Sequence, residues 1–139
     1  MRYYLDTNIL IFILQNEQDN IHYRVKALLD DYANSFFISS IVVSELLFLF
    51  RTKKVKLGTQ YKSENDILTQ IKKLDIKTVI FSQENLNTYC SLHFEEEHKD
   101  LLDHLIISQA ISDKISLISS DNKFPFYEQQ KLKFVFNKR

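Results

Sequence analysis

The stretch RYYLDTNILIFILQ, residues 2–15, carries the pattern from which the fold is read. Arg2 to Leu5 is a short apolar run that ends at an acid, Asp6. Thr7 to Gln15 follows as a dense apolar run of helical length. A run of the first kind reads as a buried strand and one of the second as a helix. Asp6 or Thr7 is placed to cap that helix, because a side-chain oxygen there can accept from its free N–H groups.

The same alternation continues along the chain. His22 to Tyr32 is amphipathic, with Val25, Leu28 and Leu29 on one face. Phe36 to Ser39 reads as a second short buried strand. Ile41 to about Thr52 reads as a helix that is apolar nearly all round, which predicts deep burial. Lys53 to Lys62 is polar and basic, and Gly58 marks it as a loop. A helix opens at Ser63, with Ile67, Leu68, Ile71 and Leu74 at helical spacing. Ile76 to Phe81 is a strand, and Ser82 caps a helix running to about Phe94. Leu101 to Ser112 is a helix, with Leu102, Leu105, Ile106 and Ala110 as its apolar stripe. Ile115 to Ser119 is a strand ending just before Asp121, and Leu132 to Phe136 is a last strand at a sheet edge. Strands alternating with helices predict a three-layer α/β/α fold, its central, mostly parallel sheet built of about five short strands.

Composition narrows the class. A length of 139 residues favours one domain spanning 1–139, and 45% hydrophobic residues supply an ordinary globular core. With 18 basic and 18 acidic residues the net charge is zero, so any nucleic-acid contact must rest on local patches. The lone cysteine, Cys90, excludes an internal disulfide and a cysteine-based zinc site, and fits a reducing cytoplasm. Asp6 and Asn8 interrupt the first apolar stretch and no small-residue cleavage site follows, so no signal peptide is expected. The longest apolar run, Ile41 to Phe50, carries Ser44 and Glu45 and is too short to cross a membrane.

The acids carry the chemistry. In open α/β sheets, ligands bind outside the carboxyl ends of the strands. Asp6 and Asp121 both stand there, although capping a helix or turn would also explain each one alone. Glu45 has Ile41, Val42, Phe48 and Leu49 as its helical neighbours, so it projects from an apolar face. A carboxylate in such a place needs an arginine or lysine, a hydrogen-bond network or a metal. Asp100 and Asp103 share one helix face, about 5–6 Å apart at Cβ by general geometry. Favourable placement at a helix N-terminus explains Asp100 well and Asp103 less well. Carboxylates gathered in one cleft repel one another, and a hard divalent cation relieves the repulsion. Mg²⁺ and Mn²⁺ suit such oxygen donors, activate water and stabilise a phosphate under attack.

Four blocks then stand in a familiar order: LDTNIL at 5–10, ISSIVVSEL at 38–46, HKDLLDHLIISQA at 98–110 and LISSDNKF at 117–124. Together they resemble the PIN domain, most of all the VapC-like toxins of type II toxin–antitoxin pairs. The resemblance covers the chain from end to end and implies a parallel sheet with helices on both sides. It also implies an Mg²⁺- or Mn²⁺-dependent endoribonuclease with an RNA substrate and a cognate antitoxin. Asp6, Glu45, Asp103 and Asp121 match the family's four acids, and Asp100 an additional one. Asn8 matches the polar residue after the first acid, and Ser119 stands where Thr or Ser is usual. Val42, Leu101 and His104 depart from the pattern, standing where Thr, Pro and Arg are common. On this reading Asp6, Asp103 and Asp121 hold one ion, partly through water. Glu45, with Asp6 or Asp100, supports a second ion or aligns the water that attacks an RNA phosphodiester.

Other features are weighed against blander readings. His104 is expected to be a partly exposed helix histidine, and His98, beside the run EEEH, part of a solvated helix end. Arg51, Lys53, Lys54 and Lys56 are the densest basic segment and are candidates for RNA phosphate contacts, with a soluble loop as the alternative. ILIFIL at 9–14 and LLFLF at 46–50 suggest apolar surface for a homodimer or an antitoxin groove. Three other functions fit the sequence less fully: a PIN nuclease of RNA processing, a non-catalytic binding module, and phosphoryl transfer by an Asp nucleophile. LDTN lacks the second Asp that the last chemistry wants two residues on.

Overall fold

The computed structural model describes all 139 residues. Five strands form one sheet in the order β3-β2-β1-β4-β5, every pairing parallel. They are β1 (Arg2–Leu5), β2 (Ser35–Ser39), β3 (Lys77–Val79), β4 (Ser116–Ser119) and β5 (Phe134–Phe136). The helices are α1 (Thr7–Gln15), α2 (Tyr23–Asp30), α3 (Ser40–Arg51), α4 (Glu64–Lys73), α5 (Gln83–Ser91) and α6 (Leu101–Asp113). Two 3₁₀ segments, Gln18–Asn20 and Phe124–Gln130, join them.

The parallel α/β fold expected from the alternation is the one observed. All four residues of β4 and three of the four in β1 are buried. Successive residues of a strand point to opposite faces, so the centre of the sheet is covered on both sides. Tyr4, Leu5, Ile38, Leu117 and Ile118 are its fully buried spine, packed against Ile9, Leu10, Leu46 and Ile107 of the helices. With only one glycine in the chain, Asn16 and Lys114 take the left-handed conformation that ends α1 and α6.

Several boundaries differ from expectation. The third strand is only Lys77–Val79, with Ile80 turned out to solvent. α5 stops at Ser91 rather than Phe94, and α2 spans Tyr23–Asp30. The 3₁₀ segment at 124–130 was not foreseen, although Pro125 at its start is a usual opening for a helical turn.

Two expectations about burial are corrected. α3 is not deeply buried: only Val42 and Leu46 are, and Phe48 is 58% exposed. α3 packs on α1, α4, α6 and the sheet, and leaves Ser44, Phe48 and Arg51 exposed. Conversely, ILIFIL offers little surface, because Ile9, Leu10, Phe12 and Leu14 are all core. No helix is long and apolar enough to cross a membrane.

Candidate active site

The chain order reverses direction across the sheet between β1 and β4, whose neighbours lie on opposite sides. In such sheets the crevice beyond that point is where ligands sit. The residues just past the two strands are Asp6 and Ser120-Asp121, with Ser119 the last residue of β4.

Asp6 is the N-cap of α1 and 4% exposed. Its Oδ1 accepts from the Thr7 amide at 2.8 Å. Its Oδ2 accepts from the Ser119 hydroxyl at 2.5 Å and from Asn8 Nδ2 at 3.3 Å. Ser119 accepts in turn from the Asp121 amide at 3.0 Å, and Asn8 Oδ1 from the Ser120 amide at 3.3 Å. The ends of β1 and β4 are thus laced together through one carboxylate.

The other acids arrive from α3 and α6. Glu45 is half-buried and accepts from the Thr7 hydroxyl. It forms no ion pair, so the alternative of a distant cationic partner is not realised. Asp100 caps α6, its Oδ1 accepting from the Asp103 amide at 3.1 Å. Asp121 Oδ1 accepts from the Lys123 amide at 2.8 Å. Capping and site-building are therefore not rival readings: a cap holds one carboxylate oxygen and leaves another. Asp103 Oδ1, Asp121 Oδ2 and Glu45 Oε2 receive no donor from the protein.

The electrostatics show how close the acids are. Burial pushes the Asp6 carboxyl up from 3.8 to about 7, and Asp103 and Glu45 push the same way against the Ser119 and Thr7 hydrogen bonds. Burial also raises Asp103 to about 7, joined by repulsion from Asp100, Asp121 and Glu45 and opposed by Lys123. The other four candidate acids therefore all stand within electrostatic reach of Asp103, and Glu45 also within reach of Asp6. The donor set is oxygen-rich, partly buried and short of cations, which fits Mg²⁺ or Mn²⁺.

One member was misjudged from sequence. His98 is not part of a solvated helix end. It is 3% exposed, and its Nε2 lies 2.9 Å from Asp103 Oδ2. Donor atoms of His98, Asp103 and Asp121 all fall within 4.8 Å of one another. Burial holds the His98 imidazole below its ordinary range, against the pull of Asp121 and Asp100. His104 is likewise buried, at 1%, with Nε2–H donating to the His98 carbonyl at 2.8 Å and Phe94 stacked on its ring at 3.9 Å. Both correct the expectation of exposure, and the reason is the turn at 92–100, which folds back onto α6 and the 124–130 segment. Tyr127 and Lys123 carry no signal in the sequence, and Thr7, a candidate cap there, instead donates to Glu45. No spacing rule marks them, since each reaches the site through the tertiary fold.

The basic residues do not join this cluster. Arg51 pairs with Glu64 at 3.5 Å, and Lys54 lies 5.8 Å from the Phe48 ring centroid. Arg51, Lys53 and Lys56, with Lys62, line a separate hollow of about 590 Å³ beyond the C-terminal end of α3.

Residues 3–129 match the PIN domain family. No curated protein matches the chain. Among solved structures, it is similar to VapBC2 from Rickettsia felis bound to a DNA fragment from their promoter, at 25% identity and TM-score 0.71, over 99% of this chain and 100% of that one. It is similar also to VapBC-1 from nontypeable Haemophilus influenzae, at 22% identity and TM-score 0.65, over 98% of each chain. A third likeness is to VapBC-5 from Mycobacterium tuberculosis, of a family of toxin-antitoxin systems, at 15% identity and TM-score 0.63, over 97% and 98%.

Proposed function

The chain belongs to the PIN domain family, and on that footing we propose that residues 1–139 form a divalent-metal-dependent endoribonuclease, the toxin of a type II toxin–antitoxin pair. The observation that carries this reading is the convergence of Asp6, Glu45, Asp100, Asp103 and Asp121 beyond β1 and β4. Several of their oxygens are left free for a cation.

When bound, Mg²⁺ or Mn²⁺ supplies charge neutralisation at a phosphodiester and acidifies water. Asp6, Asp103 and Asp121 would hold the ion, and Glu45, with Asp6 or Asp100, would support a second ion or align the attacking water. Ser119 and Asn8 fix the rotamer of Asp6, and Thr7 fixes that of Glu45. Arg51, Lys53, Lys54 and Lys56 contact RNA phosphates away from the scissile bond. Likeness to VapBC2 over nearly the full length of both chains supports a cognate antitoxin as partner. Exposed Phe48 on α3 offers an apolar contact for that antitoxin or for a homodimer. Such a toxin works in the cytoplasm, where Cys90 stays reduced.

The test is cleavage of a mixed RNA pool with Mg²⁺, Mn²⁺ or EDTA, using wild type, Asp6→Asn and Asp103→Asn. Metal-dependent cutting by wild type alone is expected. Neither cutting nor a metal-induced rise in melting temperature would leave a non-catalytic binding module.

A further inference from the structure

A chain of buried hydrogen bonds runs from the backbone to Asp103 through two side chains the mechanism above does not use. The Glu95 amide donates to the Tyr127 phenol oxygen at 3.1 Å. Tyr127 is fully buried, and its oxygen lies 3.0 Å from His98 Nδ1. His98 Nε2 lies 2.9 Å from Asp103 Oδ2. The imidazole is confined on its other sides by Phe124 at 5.9 Å and His104 at 4.8 Å, centroid to centroid.

Donor counting settles the order of the hydrogens. When Asp103 holds a cation it is ionised and only accepts, so Nε2 must then carry the imidazole hydrogen. Nδ1 is then the acceptor and takes the phenol hydrogen, while the Glu95 amide fills the phenol's lone pair. Every group in the chain is satisfied by this arrangement alone.

We infer that His98 is a positioning residue for the metal site: Tyr127 sets its tautomer, and its Nε2–H orients Asp103 so that Oδ1 faces the cation. This rests on the nuclease reading only for what occupies the site. The competing assignment makes His98 itself a ligand, since its Nε2 stands within 4.8 Å of the Asp103 and Asp121 oxygens. That would move the ring hydrogen to Nδ1 and leave the buried phenol hydrogen without an acceptor, which is unfavourable in a site closed to water. A hard cation also favours the oxygens already present. Carboxylates that bind metals are commonly held by such outer partners, whose loss weakens metal binding by roughly 10–100-fold.

The experiment is Mn²⁺ titration calorimetry on the full chain, with folding checked by circular dichroism, and electron spin echo envelope modulation of the Mn²⁺-loaded wild type. His98→Ala is expected to weaken Mn²⁺ binding by roughly tenfold or more. His98→Gln, which keeps an N–H donor, should recover part of that loss, and Tyr127→Phe should show a smaller loss. The wild-type spectrum should lack the coupling of a directly bound imidazole nitrogen. That coupling, or wild-type Mn²⁺ affinity in His98→Ala, would overturn the inference while leaving the nuclease reading intact. A wild type that binds no Mn²⁺ would overturn both. If His98→Ala does not fold, the wild-type spectrum and the Tyr127→Phe titration decide.

Discussion

Asp6→Asn should stabilise the metal-free protein as it destroys the metal site. Asp6 is buried, and its carboxyl is raised from 3.8 to about 7. Below about pH 4 the group is neutral in both folded and unfolded chains, and its ionisation costs nothing. As pH rises from there to about 7 the unfolded chain loses the proton and the folded one keeps it, so stability falls; above about 7 the cost is constant. For that shift the cost is about 4 kcal/mol at pH 8 and about 2 kcal/mol at pH 5. Asparagine keeps the shape and the oxygen that accepts from the Thr7 amide. It sacrifices the acceptor for the Ser119 hydroxyl and for Asn8 Nδ2, a loss of about 2 kcal/mol. The net gain is about 2 kcal/mol at pH 8, or about 8 °C in melting temperature, and near zero at pH 5. Thermal unfolding in EDTA at the two pH values reads both numbers, and Mn²⁺ should then raise the melting temperature of wild type only. An Asp6→Asn protein less stable than wild type at pH 8, or a difference that does not grow with pH, would refute the account of Asp6 as a carboxylate destabilised by burial.

Other outcomes follow from the same geometry. Metal must displace protons from Asp6 and Asp103, so apparent Mn²⁺ affinity should fall as pH drops below about 7, by up to about tenfold per pH unit for each acid; calorimetry in buffers of different ionisation enthalpy counts the protons. Lys53→Glu with Lys56→Glu should weaken RNA binding and lower its log–log salt slope by about 1.4 or more without changing Mn²⁺ affinity, as filter binding across salt concentrations would show. Asn137 is fully buried, accepts from the His22 amide at 2.7 Å and donates to the Asn20 carbonyl at 2.8 Å and Ser120 Oγ at 2.7 Å. Asn137→Ala should cost about 3 kcal/mol in urea unfolding, since it strands buried polar groups of the backbone.

The fold was largely legible, because its signals are local. Short apolar runs of four or five residues and helical spacings of three and four follow from strand and helix geometry. Each strand and helix core is therefore legible, as is the cap Ser82, while the choice of Asp6 over Thr7 as the cap of α1 came from the structure. Element ends were less legible: whether Ile80 or Leu92 continues an element depends on neighbours far along the chain. The burial of α3 was misread for a related reason. An apolar composition says that a helix can be buried, while its neighbours decide which side is.

The acids were legible because carboxylates at strand ends and on apolar helix faces are costly without a purpose. Their sequence positions determined the candidates, Asp6, Glu45, Asp100, Asp103 and Asp121, and the class of cation that suits them. What only the tertiary structure decided is the company they keep. Ser119 meets Asp6 across 113 positions of sequence, and Tyr127 meets His98 across 29. Hydrogen bonds of this kind depend on distances of about 3 Å and on which lone pairs are already taken. Those quantities exist only once β1 lies beside β4 and the 92–100 turn folds back onto α6, so His98 reads as a solvent-facing residue in the sequence and as a buried partner of Asp103 in the fold.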